Sequence, residues 1–218
     1  MTTTGKELIT AKQERDKQKT HRVRTGIYGG SFNPIHLGHT RLGEWLCREG
    51  LVDELWFLVS PQNPLKTNAT DLLDDDLRLM LTNLAVEESE TLKVSDFEMH
   101  LPRPSYMVST LRNLCQAYPE RHFTLVIGAD NWHRFPQWKD HEEILRHYDI
   151  IIYPRDGYPI DASTLPPGVT LAIGAPLFDI SSTDIRKAIA EGNCNGEWLA
   201  PAVWEEIRRR GLYGAGKP

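Results

Sequence analysis

The stretch Gly29-Gly30-Ser31-Phe32-Asn33-Pro34-Ile35-His36-Leu37-Gly38-His39 joins a β-rich run, Val23 to Tyr28, to a segment of helical periodicity from about Leu37 to Arg48. Two glycines at a strand end let the backbone approach a ligand with no Cβ in the way. The helix that follows points unpaired N–H groups at whatever sits there, and an anion is the natural occupant. His36 and His39 are three apart, so at a helix start they share a face and can both donate to phosphate oxygens. Gly38 between them leaves room for the phosphates. Either histidine alone reads more simply as a cap or a half-buried filler. With 8 His and 16 Gly in 218 residues, however, His-x-Gly-His is expected by chance only roughly 0.02 times.

Outward from this stretch, short β-rich runs alternate with helical periodicity. The expected strands are Val23 to Tyr28, Glu54 to Val59, Leu92 to Phe97, Phe123 to Ile127, Asp149 to Tyr153 and Val169 to Ile173. The expected helices are Leu37 to Arg48, Asp71 to Glu88, Tyr106 to Ala117, a broken one within Asp140 to His147, and two late ones, Thr183 to Glu191 and Pro201 to Arg210. This pattern predicts an α/β fold: an open, doubly wound, mostly parallel, Rossmann-like sheet with C-terminal helices. Ligands of such sheets bind at the carboxyl ends of the strands, which singles out the loops 29–39, 60–70, 128–138 and 175–186.

Composition narrows the classes. The chain carries 25 Lys+Arg against 30 Asp+Glu, a formal charge of −5, and is 40% hydrophobic. That is enough apolar surface for a core and no cationic surface of the kind a nucleic-acid binder needs, so no nucleic-acid partner is expected. The longest apolar runs fall far short of the ~20 residues of a spanning helix, so no membrane partner is expected either. Residues 1–21 read as a polar, basic, disordered tail without a secretion signal's apolar stretch, and 22–218 as a single domain, with a cytoplasmic location by default. Three widely spaced cysteines, Cys47, Cys115 and Cys194, indicate neither a disulfide framework nor a zinc site. His141, Glu142 and His147 miss the His-Glu-x-x-His spacing of a zinc hydrolase. The sequence leaves the oligomeric state open, a homo-oligomer included.

A second constellation is Ile180-Ser181-Ser182-Thr183-Asp184-Ile185-Arg186. Three hydroxyl residues precede a helix, so one can cap it while the others meet an anion at the positive end of the dipole. Arg186, one turn in, can reach the same phosphate with a planar fork of donors. Ordinary capping with a solvated Arg is the simpler reading of this segment taken alone.

Together, Gly-Gly-Ser-Phe-Asn-Pro-x-His-x-Gly-His and Ile-Ser-Ser-Thr-x-Ile-Arg resemble the bacterial nicotinate mononucleotide adenylyltransferases, nucleotidyltransferases with a His-x-Gly-His element. The resemblance spans about residues 24–213. It implies adenylyl transfer from ATP to nicotinate mononucleotide, giving deamido-NAD and pyrophosphate, a step of NAD biosynthesis. It places Gly29, Gly30, Ser31, Phe32, His36 and His39 at ATP, facing Ile180, Ser181, Ser182, Thr183 and Arg186 across the triphosphate. Gly128 and Asp130 match the segment that meets the ribose, where a carboxylate can accept from both hydroxyls.

On the mononucleotide side the resemblance implies Trp138 as the aromatic under the pyridinium ring, with Trp132 as competitor. Lys66 is implied at the mononucleotide phosphate, with Leu65 where the family has His. Tyr106 and Met107 fall in the substrate-closing loop, Met107 standing where Thr is common. His36, His39, Arg186 and Lys66 are the expected catalytic set. Mg²⁺ is expected through ATP and pyrophosphate, with no protein ligands of its own. An adenylyltransferase preferring nicotinamide mononucleotide or phosphopantetheine remains an alternative, as does a nucleotide-binding regulatory module without turnover.

Residues 1–24 hold seven Lys/Arg and three Asp/Glu, which leaves 18 basic against 27 acidic residues, or −9, for the remainder. A folded part with that field needs local donors to hold two phosphate-bearing substrates.

Overall fold

A computed structural model describes residues 22–61 and 72–216. Six strands form one parallel sheet: β1 (Val23–Gly30), β2 (Glu54–Val59), β3 (Leu92–Ser95), β4 (Arg121–Gly128), β5 (Asp149–Tyr153) and β6 (Val169–Leu171), in the order β3-β2-β1-β4-β5-β6. The helices are α1 (Leu37–Arg48), α2 (Asp75–Val86), α3 (Met107–Ala117), α4 (Ala129–Arg134), α5 (His141–His147), α6 (Ser182–Ala190) and α7 (Pro201–Arg210). This is the α/β, doubly wound sheet that the alternating pattern predicts, with every strand pair parallel.

The strands read as near-continuous apolar runs because both sheet faces are covered. On β2, Leu55, Phe57 and Val59 enter one core while Trp56 and Leu58 enter the other. Leu42 and Leu46 of α1, Leu81 of α2, Ile185 of α6 and Val203 of α7 pack on the first face. Val108 and Leu111 of α3, Ala129 of α4 and Ile144 of α5 pack on the second. Gly43 is the close approach of α1 to the sheet: a Cβ there would stand 2.8 Å from Leu92 Cδ2.

Several boundaries differ from expectation for local reasons. β1 runs on to Gly30, because Gly30 pairs with Val59 and its carbonyl accepts from Ser60 N (2.9 Å). β3 stops at Ser95 and a 3₁₀ turn, Phe97–His100, follows. β6 stops at Leu171, short of the expected Ile173. Residues 128–138, expected as a loop, are mostly helical: α4 leads straight into a 3₁₀ turn, Phe135–Gln137, where Pro136 sits in the first turn and costs no hydrogen bond.

Arg78 of α2 is wholly buried and ties two strand-end loops together. Its guanidinium donates to the carbonyls of Ser31 (2.6 Å), Ser60 (2.8 Å), Leu73 (2.9 Å) and Pro61 (3.2 Å) and pairs with Asp75 (2.5 Å). No aliphatic side chain could satisfy those acceptors. Arg78→Leu is therefore expected to lower stability by about 3 kcal/mol, near the low end for stranding the partners of a buried ion, since Asp75 is partly exposed. Urea denaturation checks this, and a loss under about 1 kcal/mol would mean that the carbonyls find other donors.

Candidate active site

The strand order reverses between β1 and β4, and a cavity of about 180 Å³ opens at their carboxyl ends. Its floor is backbone. Gly29, Gly30 and Ser31 leave β1 on one side of it and Gly128 ends β4 on the other. A Cβ on Gly29 would lie 2.9 Å from Met107 Cε, and one on Gly128 would lie 2.4 Å from Asp130 Oδ1. Each glycine thus admits a neighbour that a side chain would displace.

α1 starts beside this floor with a reciprocal cap made by histidines. Gly38 N–H donates to His36 Nδ1 (3.2 Å), and His36 N–H donates to His39 Nδ1 (3.2 Å). Both Nδ1 atoms are acceptors, so in the neutral rings the proton sits on Nε2. The ring centroids lie 3.7 Å apart with the planes tilted by 34°. Burial, then the positive charge of Arg155, pushes the His36 pKa down to about 4. Burial, then His36, then Arg155 hold His39 well below the usual histidine range. At neutral pH the pair is two uncharged N–H donors, not two cations.

Gly38 has a further reason to be glycine: a Cβ there would stand 3.0 Å from the His36 ring and 3.2 Å from Phe178 Cβ. Phe32 is buried at 3% exposure with φ +43°, a left-handed backbone that costs energy for an aromatic residue. Its ring lies against Tyr28, His39 and Phe57 and over Gly30. Phe32 thus backs His39 from the core side.

The second constellation is brought to the first by hydrogen bonds. Ser182 Oγ donates to the Pro34 carbonyl (2.9 Å) and Arg186 Nη1 to the Asn33 carbonyl (2.9 Å). Tyr213 OH and Leu73 N–H both donate to the Asn33 side-chain oxygen (2.8 and 3.3 Å). Ser181 is the N-cap of α6, and its partner is Asp184, whose carboxylate accepts from Ser181 N–H (3.1 Å) and Oγ (2.5 Å). Asp184, the variable position of the motif, closes this capping box. Thr183 is exposed on the same first turn, and Ile180 packs on the first core.

The other side of the cavity is aromatic and polar. Trp138 lines it, whereas Trp132, stacked on Phe135 (5.2 Å), is not among the lining residues. Ser105, Tyr106 and Met107 line it at the start of α3, and Tyr106, the N-cap, makes no side-chain cap bond. Lys66 lies outside the described residues, so its expected role has no geometry here. Several polar lining residues escaped the sequence reading. Lys139 stands 4.6 Å over the Tyr106 ring, Asn131 and Gln137 add amides, and Glu98 is a buried carboxylate accepting from Ser60 Oγ (2.5 Å) and Thr110 Oγ1 (3.3 Å). Lys139 follows Trp138 directly, a signal that could have been read.

The cytidylyltransferase-like family matches residues 27–188. A protein of Bacteroides thetaiotaomicron named "Probable nicotinate-nucleotide adenylyltransferase" is 51% identical over 190 residues, 87% of this chain and 93% of that one. The chain belongs to the nicotinate-nucleotide adenylyltransferase family. Another member, from Porphyromonas gingivalis, is 45% identical over 80% of this chain and 88% of its own. The Plasmodium falciparum nicotinic acid mononucleotide adenylyltransferase solved as a complex with NaAD superposes with a TM-score of 0.73 at 21% identity, covering 88% of this chain and 98% of that one. At that identity the likeness is one of fold. No helix among the described residues is long and apolar enough to cross a membrane, and none of their His, Cys, Asp and Glu side chains form a group of three placed to hold a metal ion.

The depressed histidines of this family member carry a stability consequence. In the unfolded chain both titrate near 6.5. As pH falls from 6.5 through about 4, the unfolded chain binds protons that the folded His36 refuses, so stability present above 6.5 is progressively lost. His36→Asn keeps an acceptor at the N-cap but does not titrate. Urea midpoints at pH 7.5 and 5.0 are expected to differ less in the variant than in the wild type. An equal drop in both would remove His36 as the responsible group.

Proposed function

We propose that the chain transfers the adenylyl group of ATP to nicotinate mononucleotide, forming deamido-NAD and pyrophosphate. The observation that carries the reading is one crevice at the β1–β4 switch point with two chemically different sides. On one side lie the glycines that end β1 and β4. Just beyond them α1 begins with the two histidine donors, and Ser182 and Arg186 bind α6 to the same loop at Pro34 and Asn33, so two helix starts suited to a nucleoside triphosphate adjoin the cavity. On the other lie Trp138 and the start of α3. An indole face favours a cationic pyridinium. Unsatisfied N–H groups at the start of α3 favour a carboxylate over an amide on that ring, since the dipole's positive end rewards negative charge. The names of the close relatives support the same substrate.

In this reading the mononucleotide phosphate attacks the α-phosphorus of ATP in line, and pyrophosphate departs. The attacking phosphate is largely dianionic at neutral pH, its second pKa being about 6, so no general base is needed. The protein positions the two phosphates and stabilises the charge that develops between them. His36 and His39 donate through Nε2–H to the triphosphate. Arg186 and the hydroxyls of Ser181, Ser182 and Thr183 bear on it from α6. Asp130 takes the ATP ribose beside Gly128. Tyr106, Met107 and Trp138 hold the nicotinate end, and Lys66 the mononucleotide phosphate. Mg²⁺ brought in with ATP would be held through phosphate oxygens and would supply charge neutralisation for the leaving pyrophosphate.

Pyrophosphate release with ATP and each candidate acceptor tests the reading. Nicotinate mononucleotide is expected to give the highest kcat/KM, ahead of nicotinamide mononucleotide and phosphopantetheine, and absence of deamido-NAD would overturn the assignment. His39→Ala is expected to lower kcat by on the order of 10²- to 10³-fold with an unchanged circular dichroism spectrum, as for losing one preorganised donor. A folded variant with wild-type turnover would remove His39 from the site.

A further inference from the structure

Arg155 follows β5 in the loop Pro154-Arg155-Asp156-Gly157-Tyr158. The loop is held: Tyr158 N–H donates to the Arg155 carbonyl (3.2 Å), the two residues form an antiparallel bridge, and Gly157 takes φ +77°. The guanidinium carbon lies 5.1 Å from the Tyr153 ring centroid and Nη2 donates to Tyr153 OH (3.2 Å). Tyr153 OH is 2.9 Å from Tyr28 OH, and the Tyr28 ring is 5.8 Å from that of His39. Residues at the ends of β5 and β1 thus link one cation, through two tyrosines, to the neighbourhood of His39.

Two atoms there are left wanting. Arg155 Nε and Asp130 Oδ1 are both buried and both lack a hydrogen-bond partner among the described residues, standing 3.9 Å apart, too far to satisfy each other. Buried polar atoms without partners are rare and call for an explanation such as an absent ligand. A nucleotide supplies what both lack: a ribose hydroxyl can donate to the carboxylate while a phosphate oxygen accepts from the guanidinium. Charge points the same way. The histidines are neutral, the helix ends carry partial charges, Lys139 stands on the nicotinate side of the cavity, and Arg186, the other cation expected at the phosphates, already donates to the Asn33 carbonyl.

We propose that Arg155 is a catalytic residue, placed against Asp130 and Tyr153 and contacting the ATP phosphates beside His36 and His39 when the nucleotide binds. The proposal rests on the adenylyl-transfer reading. A planar fork of donors with a whole charge is the group best suited to the phosphate chain as charge moves toward pyrophosphate.

The test compares wild type, Arg155→Met and Arg155→Lys by steady-state kinetics, and by calorimetry with tripolyphosphate and with adenosine as separate probes. Arg155→Met is expected to lose about 100-fold in kcat/KM for ATP, in the range for removing a transition-state donor. Its tripolyphosphate affinity is expected to fall by about tenfold or more, the equivalent of one charge-assisted hydrogen bond. Adenosine affinity stays unchanged and Arg155→Lys recovers part of both losses. Arg155→Met with wild-type kinetics, parallel losses for adenosine and tripolyphosphate, or Arg155→Lys no better than Arg155→Met would each overturn the proposal. Should the wild type make no deamido-NAD, the adenylyl-transfer reading fails, and the calorimetry still decides whether Arg155 binds phosphate. If Arg155→Met does not fold, Arg155→Lys carries the test, with intermediate losses expected and wild-type values overturning it.

Discussion

Between β1 and β4 the chain leaves the sheet toward opposite faces, and the architecture of the site depends on that parting. α1 packs on one core and α4 on the other, so no connection crosses the space above Gly29, Gly30 and Gly128. A sheet wound in one sense only would have filled that space with a crossover. Every group brought to the crevice then has to be tethered from outside it. Arg78 does this for the loops after β1 and β2, and Ser182, Arg186 and Tyr213 do it for the loop carrying Asn33. These tethers join residues far apart in the sequence, some 148 to 180 positions for the last group. A ligand site assembled across such separations inherits its precision from the cores beneath it.

The reciprocal cap at the start of α1 shows how structure and chemistry use the same atoms. A helix start leaves its first N–H groups without partners, and a serine or aspartate is the common remedy. Here imidazole Nδ1 atoms provide it, and in doing so fix the tautomer that leaves Nε2–H to donate. The glycine in His-x-Gly-His serves that arrangement as much as any ligand, because a Cβ on Gly38 would meet the His36 ring. α6 solves the same problem conventionally, with Ser181 and Asp184. That use of Ser181 and of Ser182 on Pro34 means the motif's hydroxyls are partly structural.

Much of this was legible in the sequence, and what was not has physical reasons. Apolar runs buried on both faces announce parallel strands, so β2 and β5 were readable to the residue, whereas β4 extends past its apolar run, from Arg121 to Gly128. Gly-Gly before a helix announced the crevice. Helicity in 129–137 was hidden because Asn131 and Pro136 read as turn chemistry, whereas tertiary packing on Phe135 holds those residues helical. Arg155 was passed over for a similar reason. Pro-Arg-Asp-Gly is a turn signal, and nothing local says that Tyr153, Tyr28 and Asp130 will surround the arginine. Glu98 and Arg78 were invisible as buried charges because burial of a charge is decided by partners distant in sequence. Trp138 could be named from resemblance, but only the cavity separates it from Trp132.

The protonation state of the histidines bears on turnover under the proposed reaction. Two imidazolium rings at 3.7 Å would repel each other, and their full charges would attract ATP and departing pyrophosphate alike. Binding both equally deepens the ground state and the product complex without lowering the barrier between them. Neutral N–H donors add directionality with little long-range pull, so their contribution depends on the geometry of the phosphates and can peak where the transferring group is in line. The acidic remainder of the chain, at −9 after the first 24 residues, acts in the same sense by disfavouring a lingering polyanion. Positive charge then has to be local, movable and matched to the phosphate chain. Arg155 fits that need, held between a tyrosine ring and a carboxylate that a ribose can claim. Rate in such a site comes from charge that engages late, against a background that otherwise lets the product go.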